Sequence, residues 1–292
     1  LTNCTFTEMV SRAFGGTLFL WQGGHIVAVG CTFRKSSAPA QGGLLFFNGG
    51  SVEMYDCTSE ETVGDNGGAL YLEGGASLLV SGGRFASFRA RTGGAVSVAG
   101  GSAVFQGVHF EGPGQTPSDS QIVSGGIVLL AGGYLEIDEC VLTGGRSGDG
   151  AGIAATAGTA LVRRSTISAC EANTGGGVYI SSLQFQMEDC AISDCKCTAD
   201  GSALQISSTG EAIVRRTTVL RCTGTPAISV KGGAISFDGG LMHACVADQI
   251  LGAGAILVEG RGTALVSNVR ISDCQSYDPQ GTGLSFYGSQ AG

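Results

Sequence analysis

The sequence predicts an all-β solenoid, a single-stranded right-handed parallel β-helix of about ten to eleven coils, and three observations predict it. A short unit recurs along nearly the whole chain, its apolar residues alternate in brief runs, and paired glycines cut those runs. Repeats of roughly 20 to 50 residues signal solenoids or arrays. A helical repeat would need apolar residues three and four apart over about ten or more positions, and the alternation and glycines exclude that pattern.

The clearest unit is Gly67 to Phe85, GGALYLEGGASLLVSGGRF. A Gly pair opens it, an alternating run follows (Ala69, Leu70, Leu72), a second Gly pair breaks it, and a second run follows (Leu78, Val80). Two short strands and a tight corner are implied. The unit returns from Gly15, Gly42, Gly93 and Gly125, and in degraded form from Gly150, Gly176, Gly201, Thr225, Ala253 and Thr282. Anchored at 15, 42, 67, 93, 125, 151, 176, 201, 225, 253 and 282, the spacings are 24 to 29 residues with one of 32. About 25 residues in three short strands make one coil, whose strands pair with their equivalents about 4.8 Å away.

An unbroken repeat buries one continuous core, so residues 1–292 read as a single domain. The 51 glycines are not collagenous, because no Gly-X-Y period exists and Pro is only 5. A net charge of −8 without a basic stripe argues against nucleic acid as a partner. No apolar run is long enough for a membrane span, and LTNCTF is already the end of a coil rather than a leader. Leu1 to Phe6 reads as the tail of a coil whose start is missing, and Thr282 to Gly288 opens one that does not close. The expectation is a segment of something larger, stacked end to end with more β-helix from the same or neighbouring chains.

Repeat alignment exposes two cysteine columns. The first reads Cys4, Cys31, Cys57, Gly83, Val108, Cys140, Ser165, Cys190, Thr217, Gly240 and Val269, small side chains suited to an inward position at a bend. The second lies five residues on and reads Met9, Ser36, Thr62, Phe88, Pro113, Gly145 and then Cys170, Cys195, Cys222, Cys245 and Cys274. Stacked equivalents would lie about 5 Å apart, so buried reduced thiols and coil-to-coil disulfides are both open readings. Metal binding is disfavoured, since the close pair Cys195 and Cys197 lacks CxxC spacing and a neighbouring His.

A charge ladder precedes the first column: Asp138 and Glu139, Arg163 and Arg164, Glu188 and Asp189, Arg215 and Arg216. Alternating sign coil by coil favours one register, each facing pair contributing about 0.2 to 1 kcal/mol. The rival reading, an active cleft of acids and arginines, is not needed to explain it. Insertions at Glu111 to Ser124 and Gln275 to Gln280, with Ile250 and Leu251 near a bend, are candidate binding loops or plain decoration.

Catalytic patterns are sparse. A glycoside hydrolase needs converging carboxylates, and a calcium-dependent lyase needs several around the metal; no two acidic columns of like sign stack here. His25, His109 and His243 fall at different places in their coils, and no cofactor or metal is expected. GGRSGDGAG from Gly144 occurs once, whereas calcium-binding Gly/Asp repeats come in tandem. Asn3-Cys4-Thr5 is an acceptor pattern for N-glycosylation at Asn3.

GGAL at Gly67, GGAV at Gly93 and GGAI at Gly232 resemble the GGA-[ILV] tetrapeptide of the chlamydial polymorphic outer membrane proteins. Cys stands where that family's second motif, FxxN, has Asn, as in ISDC at Ile192 to Cys195 and Ile271 to Cys274. More broadly the chain looks like the pectin-lyase-like β-helix superfamily. The first resemblance implies surface adhesion, and the second implies carbohydrate chemistry. The sequence favours a non-catalytic structural or adhesive segment of a secreted or cell-surface protein, with glycans or surface proteins as further partners. The alternative is a β-helix that binds or modifies polysaccharide.

Overall fold

A computed structural model describes residues 1–112, 124–182, 184–207, 209–248, 253–277 and 282–288. Strands wind into about ten turns with parallel pairing between successive turns, and the described residues contain no helix. An eleven-stranded sheet takes one strand per turn, from Leu18–Trp21 through Leu70–Glu73 and Ile153–Ala155 to Leu284–Gly288. Within it Val96 faces Leu70 and Val128, so like stacks on like.

The largest sheet holds 18 strands and carries two runs of each turn, such as Ser77–Ser81 and Arg84–Ala86. In three late turns the two runs fuse into ten-residue strands, Glu211–Leu220, Ala234–His243 and Thr263–Ser272. A six-stranded sheet closes the remaining side from Arg146–Asp149 to Gln275–Ser276. In the first turns that side holds only single bridges, among them Val10 to Ser37 and Asn66 to Thr92. Described turns thus hold three strands, as read from the sequence, or four in the middle turns that begin at Val128–Leu130, Ile153–Ala155 and Val178–Ile180. The glycine pairs mark the strands beside them and carry no information about this last side.

Alternation explains the core. In Ser77–Ser81, Leu78 and Val80 are buried while the residues between them are not. The inward columns merge into one apolar cluster running from Ala28 to Val258, filled by Phe33, Phe47, Phe85, Phe105, Phe110, Phe185 and Phe237. Phe33 stacks on Phe6 with centroids 5.3 Å apart, and Phe85 on Phe110 at 5.5 Å.

The opening glycine pair has two separate causes. Gly67 sits at φ +64, where a side chain is strained. Gly68 has no such φ, but a Cβ there would lie 2.2 Å from the carbonyl oxygen of Gly94 one turn away. The first glycine turns the chain, and the second lets adjacent turns touch.

The insertion at Glu111 to Ser124 lies outside the described residues over 113–123, as do residues 278–280 of Gln275 to Gln280, and Ile250 and Leu251.

Candidate functional site

Strand register puts the second cysteine column in one line. Ser168 faces Ser193 and Glu171 faces Lys196, so Cys170 lies against Cys195. The same bracketing pairs Cys195 with Cys222, Cys222 with Cys245 and Cys245 with Cys274. Backbone bonds repeat beside them, from Lys196 N to Cys170 O and onward to Gln275 N to Cys245 O. The first column is continuous too: Cys4 with Cys31, then Cys57, with Cys140 and Cys190 flanking Ser165.

All eleven cysteines are free thiols, buried except at Cys4 and Cys274. Burial pushes Cys140 and Cys190 up to about 11. Cys245 is pushed up to about 12, first by hydrogen bonding with Cys222 and then by burial. Hydrogen bonding with the preceding cysteine likewise raises Cys195, Cys222 and Cys274. Such thiols stay protonated at neutral pH, so they pack as small hydrophobes and are poor nucleophiles. Cys197, outside both columns, turns its Sγ to the carbonyl oxygens of Asn173 and Asp200, at 2.6 and 3.1 Å.

The charge ladder is built differently from a continuous alternation. Asp138, Arg163, Glu188, Arg215 and Asp238 do share one column. Ion pairs nevertheless form in doublets. Arg164 grips Asp138 and, at 3.1 Å, Glu139, while Arg216 grips Glu188 and, at 2.7 Å, Asp189. Arg163 turns instead to Glu136 at 3.6 Å. Asp238 is held below the ordinary carboxylate range chiefly by hydrogen bonds from Ser267 and Asn268, with Arg215 adding a smaller through-space effect. A guanidinium already serving two carboxylates of the preceding turn has no fork left for the next one.

The three histidines stand in separate columns. His25 Nδ1 meets Ser51 Oγ, and His243 Nδ1 meets Ser272 Oγ and Asp273, while His109 faces Arg84 and Val141. Asn3 is exposed at φ +51, and a Cβ on Gly30 would strike its Oδ1.

Two surface features were not legible as sites in the sequence. Near the first turn, Phe14, Phe19 and Trp21 are 39, 52 and 51% exposed and form one cluster with buried Phe46 and Tyr71. Toward the last turns a depression of about 450 Å³ is lined by Lys231, Gly232, Glu259, Gly260 and Arg261. There Lys231 Nζ lies 2.6 Å from Asp200 and 3.3 Å from Glu259. Among the described residues no group of three or more His, Cys, Asp or Glu could hold a metal ion.

Residues 94–266, more than half of the chain, match the family described as right handed beta helix region. The chain belongs to that family. No curated protein and no solved structure matches it. Membership fixes the hand of the winding, which agrees with the right-handed crossover that parallel strands adopt in about 98% of cases.

This right-handed β-helix has corners that the glycine pattern hides. Asn3, Asp56, Glu139, Arg164, Asp189, Arg216 and Asn268 all have φ between 43 and 55, at the position that holds Gly in other turns. A second such column holds Glu8, Lys35, Glu61, Ser87, Ala169, Asp194, Arg221, Ala244 and Asp273. Each left-handed corner immediately precedes a cysteine column. In the second column Arg221 pairs with Asp194 at 2.7 Å, a contact the first ladder would have suggested had the corner been recognised.

Proposed function

We propose that this β-helix is a non-catalytic structural or adhesive rod of a secreted or cell-surface protein. The observation that carries the reading is how its surface carboxylates are used. Glu60, Asp189 and Asp194 are each held below the ordinary carboxylate range, chiefly by hydrogen bonds from Arg34, Arg216 and Arg221 one turn away. A general acid needs the opposite shift, toward neutral pH, so these groups suit stacking better than glycan cleavage.

More β-helix, from the same or a neighbouring chain, is the partner proposed for the rod. The test incubates the purified chain with pectate and alginate and follows new reducing ends and unsaturated products. No turnover is expected, alongside light scattering that grows with protein concentration. Turnover abolished by one acid-to-Ala change would overturn the reading.

A further inference from the structure

We propose that the second cysteine column is a redox-sensitive staple, in which a small-molecule disulfide converts neighbouring thiols into bridges between successive turns and so hardens the winding. Bridging goes beyond the rod reading and needs only the stacking of the turns. A backbone bond clamps each neighbouring pair: Lys196 N to Cys170 O at 2.8 Å, Thr223 N to Cys195 O at 2.9 Å, Val246 N to Cys222 O at 2.9 Å and Gln275 N to Cys245 O at 2.8 Å. A strand spacing of about 4.8 Å puts neighbouring Cα atoms inside the disulfide range of about 4.4 to 6.8 Å. Hydrogen bonding from thiol to thiol already runs from Cys170 along the column to Cys274, so each sulfur lies close to the next. Each of these cysteines directly follows a left-handed corner, at Ala169, Asp194, Arg221, Ala244 and Asp273, and lies between strands. Turning two side chains toward each other there does not distort a strand.

Glutathione disulfide supplies the oxidant. One cysteine thiolate attacks a sulfur of glutathione disulfide and expels a glutathione thiolate, and the neighbouring cysteine thiolate attacks the protein-bound sulfur and expels the second. Two protein thiols become one disulfide as glutathione disulfide becomes two thiols. Cys170, Cys195, Cys222 and Cys245 are buried, so the oxidant reaches them while the turns are open and the bridges are set as the chain winds. Stacking then dictates the pairing. Five thiols in line hold two neighbour bridges, and every such arrangement leaves out Cys170, Cys222 or Cys274 and uses both Cys195 and Cys245. In the first column Cys4, Cys31 and Cys57 hold one bridge, always through Cys31. Cys140 and Cys190 flank Ser165 and lie two turns apart, about 10 Å, beyond bridging reach.

The reduced chain is refolded from urea in a buffer of glutathione and glutathione disulfide, the remaining thiols are alkylated, and bridged peptides are mapped by mass spectrometry. Two bridges are expected in the second column, both between consecutive turns, with Cys140, Cys190 and Cys197 alkylated. The bridged chain should melt at least about 5 °C above the same chain reduced with dithiothreitol. Cys222→Ala should keep both bridges, whereas Cys195→Ala and Cys245→Ala should each keep one. Alanine suits this buried position, and the latter two variants duplicate each other should one of them fail to wind by far-ultraviolet dichroism. Four results overturn the proposal: no bridge in the second column, bridges between cysteines that are not on consecutive turns, Cys222→Ala falling to one bridge, or a bridged chain that melts no higher than the reduced one. Glycan turnover would remove the rod reading and leave the staple standing, whereas absent bridges would remove the staple and leave the rod.

Discussion

Gly68→Ala tests whether the paired glycines serve contact between turns. A Cβ at Gly68 would meet the carbonyl oxygen of Gly94 at 2.2 Å, the Arg89 oxygen at 2.7 Å and the Arg89 carbonyl carbon at 3.0 Å. All three are backbone atoms of the next turn, held by strand pairing on both sides, so no side chain can swing away. Gly68 N itself donates to that turn, to Gly94 O at 3.0 Å. Overpacking in a rigid site costs about 1 to 3 kcal/mol, and a backbone-only clash belongs at the upper end, about 3 kcal/mol. Gly75 is the matched control: it sits at φ +75, and a methyl group there would meet nothing within 4 Å, so Gly75→Ala carries backbone strain alone, about 1 to 2 kcal/mol. At about 2 to 4 °C per kcal/mol, Gly68→Ala should melt roughly 6 to 12 °C below the parent chain in far-ultraviolet dichroism. If Gly68→Ala melts within a degree of the parent, or above Gly75→Ala, turn-to-turn contact is not why that glycine is there.

Two further outcomes follow from the cysteines and the ladder. Because burial raises Cys140 and Cys190 from 9.0 to about 11, their neutral form is favoured in the folded chain, so that stability is complete below pH 9 and is lost as pH rises toward 11. Melting temperatures across that window should fall, and fall less in Cys140→Ala; a flat profile would contradict the burial. Arg164→Ala should cost about 1 to 2 kcal/mol in urea unfolding, because Asp138 has only 12% side-chain exposure and its Oδ1 already lacks a partner. Adding Asp138→Asn should restore part of that loss, and an additive double variant would show that the pair is not coupled.

Winding, turn count and both cysteine columns were legible because each turn repeats the same inward positions, and an inward residue is constrained by volume. Cys31, Cys57, Cys140 and Cys190 align along the repeat since only small side chains fit there. The fourth side of each turn was not legible. Arg146–Asp149 and Glu171–Thr174 carry polar, partly exposed residues with little apolar alternation, and their pairing is fixed by the turns on either side. The aromatic ladder was hidden for a related reason: Phe19 looks like any apolar residue of an alternating run, and only register shows that Phe19, Phe46 and Tyr71 share an outward column. The ladder's doublets were hidden because spacing gives the column and not the reach of the side chain.

The left-handed corners give a test in the direction opposite to ordinary glycine substitutions. Ala169 and Ala244 have φ of 52 and 54, and neither side chain can bond to its own backbone as Asn or Asp can. Holding alanine there costs about 1 to 2 kcal/mol, whereas glycine adopts the same φ freely. Glycine also loosens the unfolded chain, which takes back about 0.4 to 1 kcal/mol. The difference leaves Ala244→Gly more stable by roughly 0.5 to 1 kcal/mol, even though it adds another glycine to a chain that already has 51. The neighbouring geometry should not change, since Ala244 N donates to Ser272 O at 3.1 Å through backbone alone. Urea midpoints of Ala244→Gly, Ala169→Gly and the double variant should rise in sequence. A fall in either single variant would mean that the methyl group at that corner packs against something worth more than the strain, and the corner columns would then be set by side-chain contact and not by backbone shape.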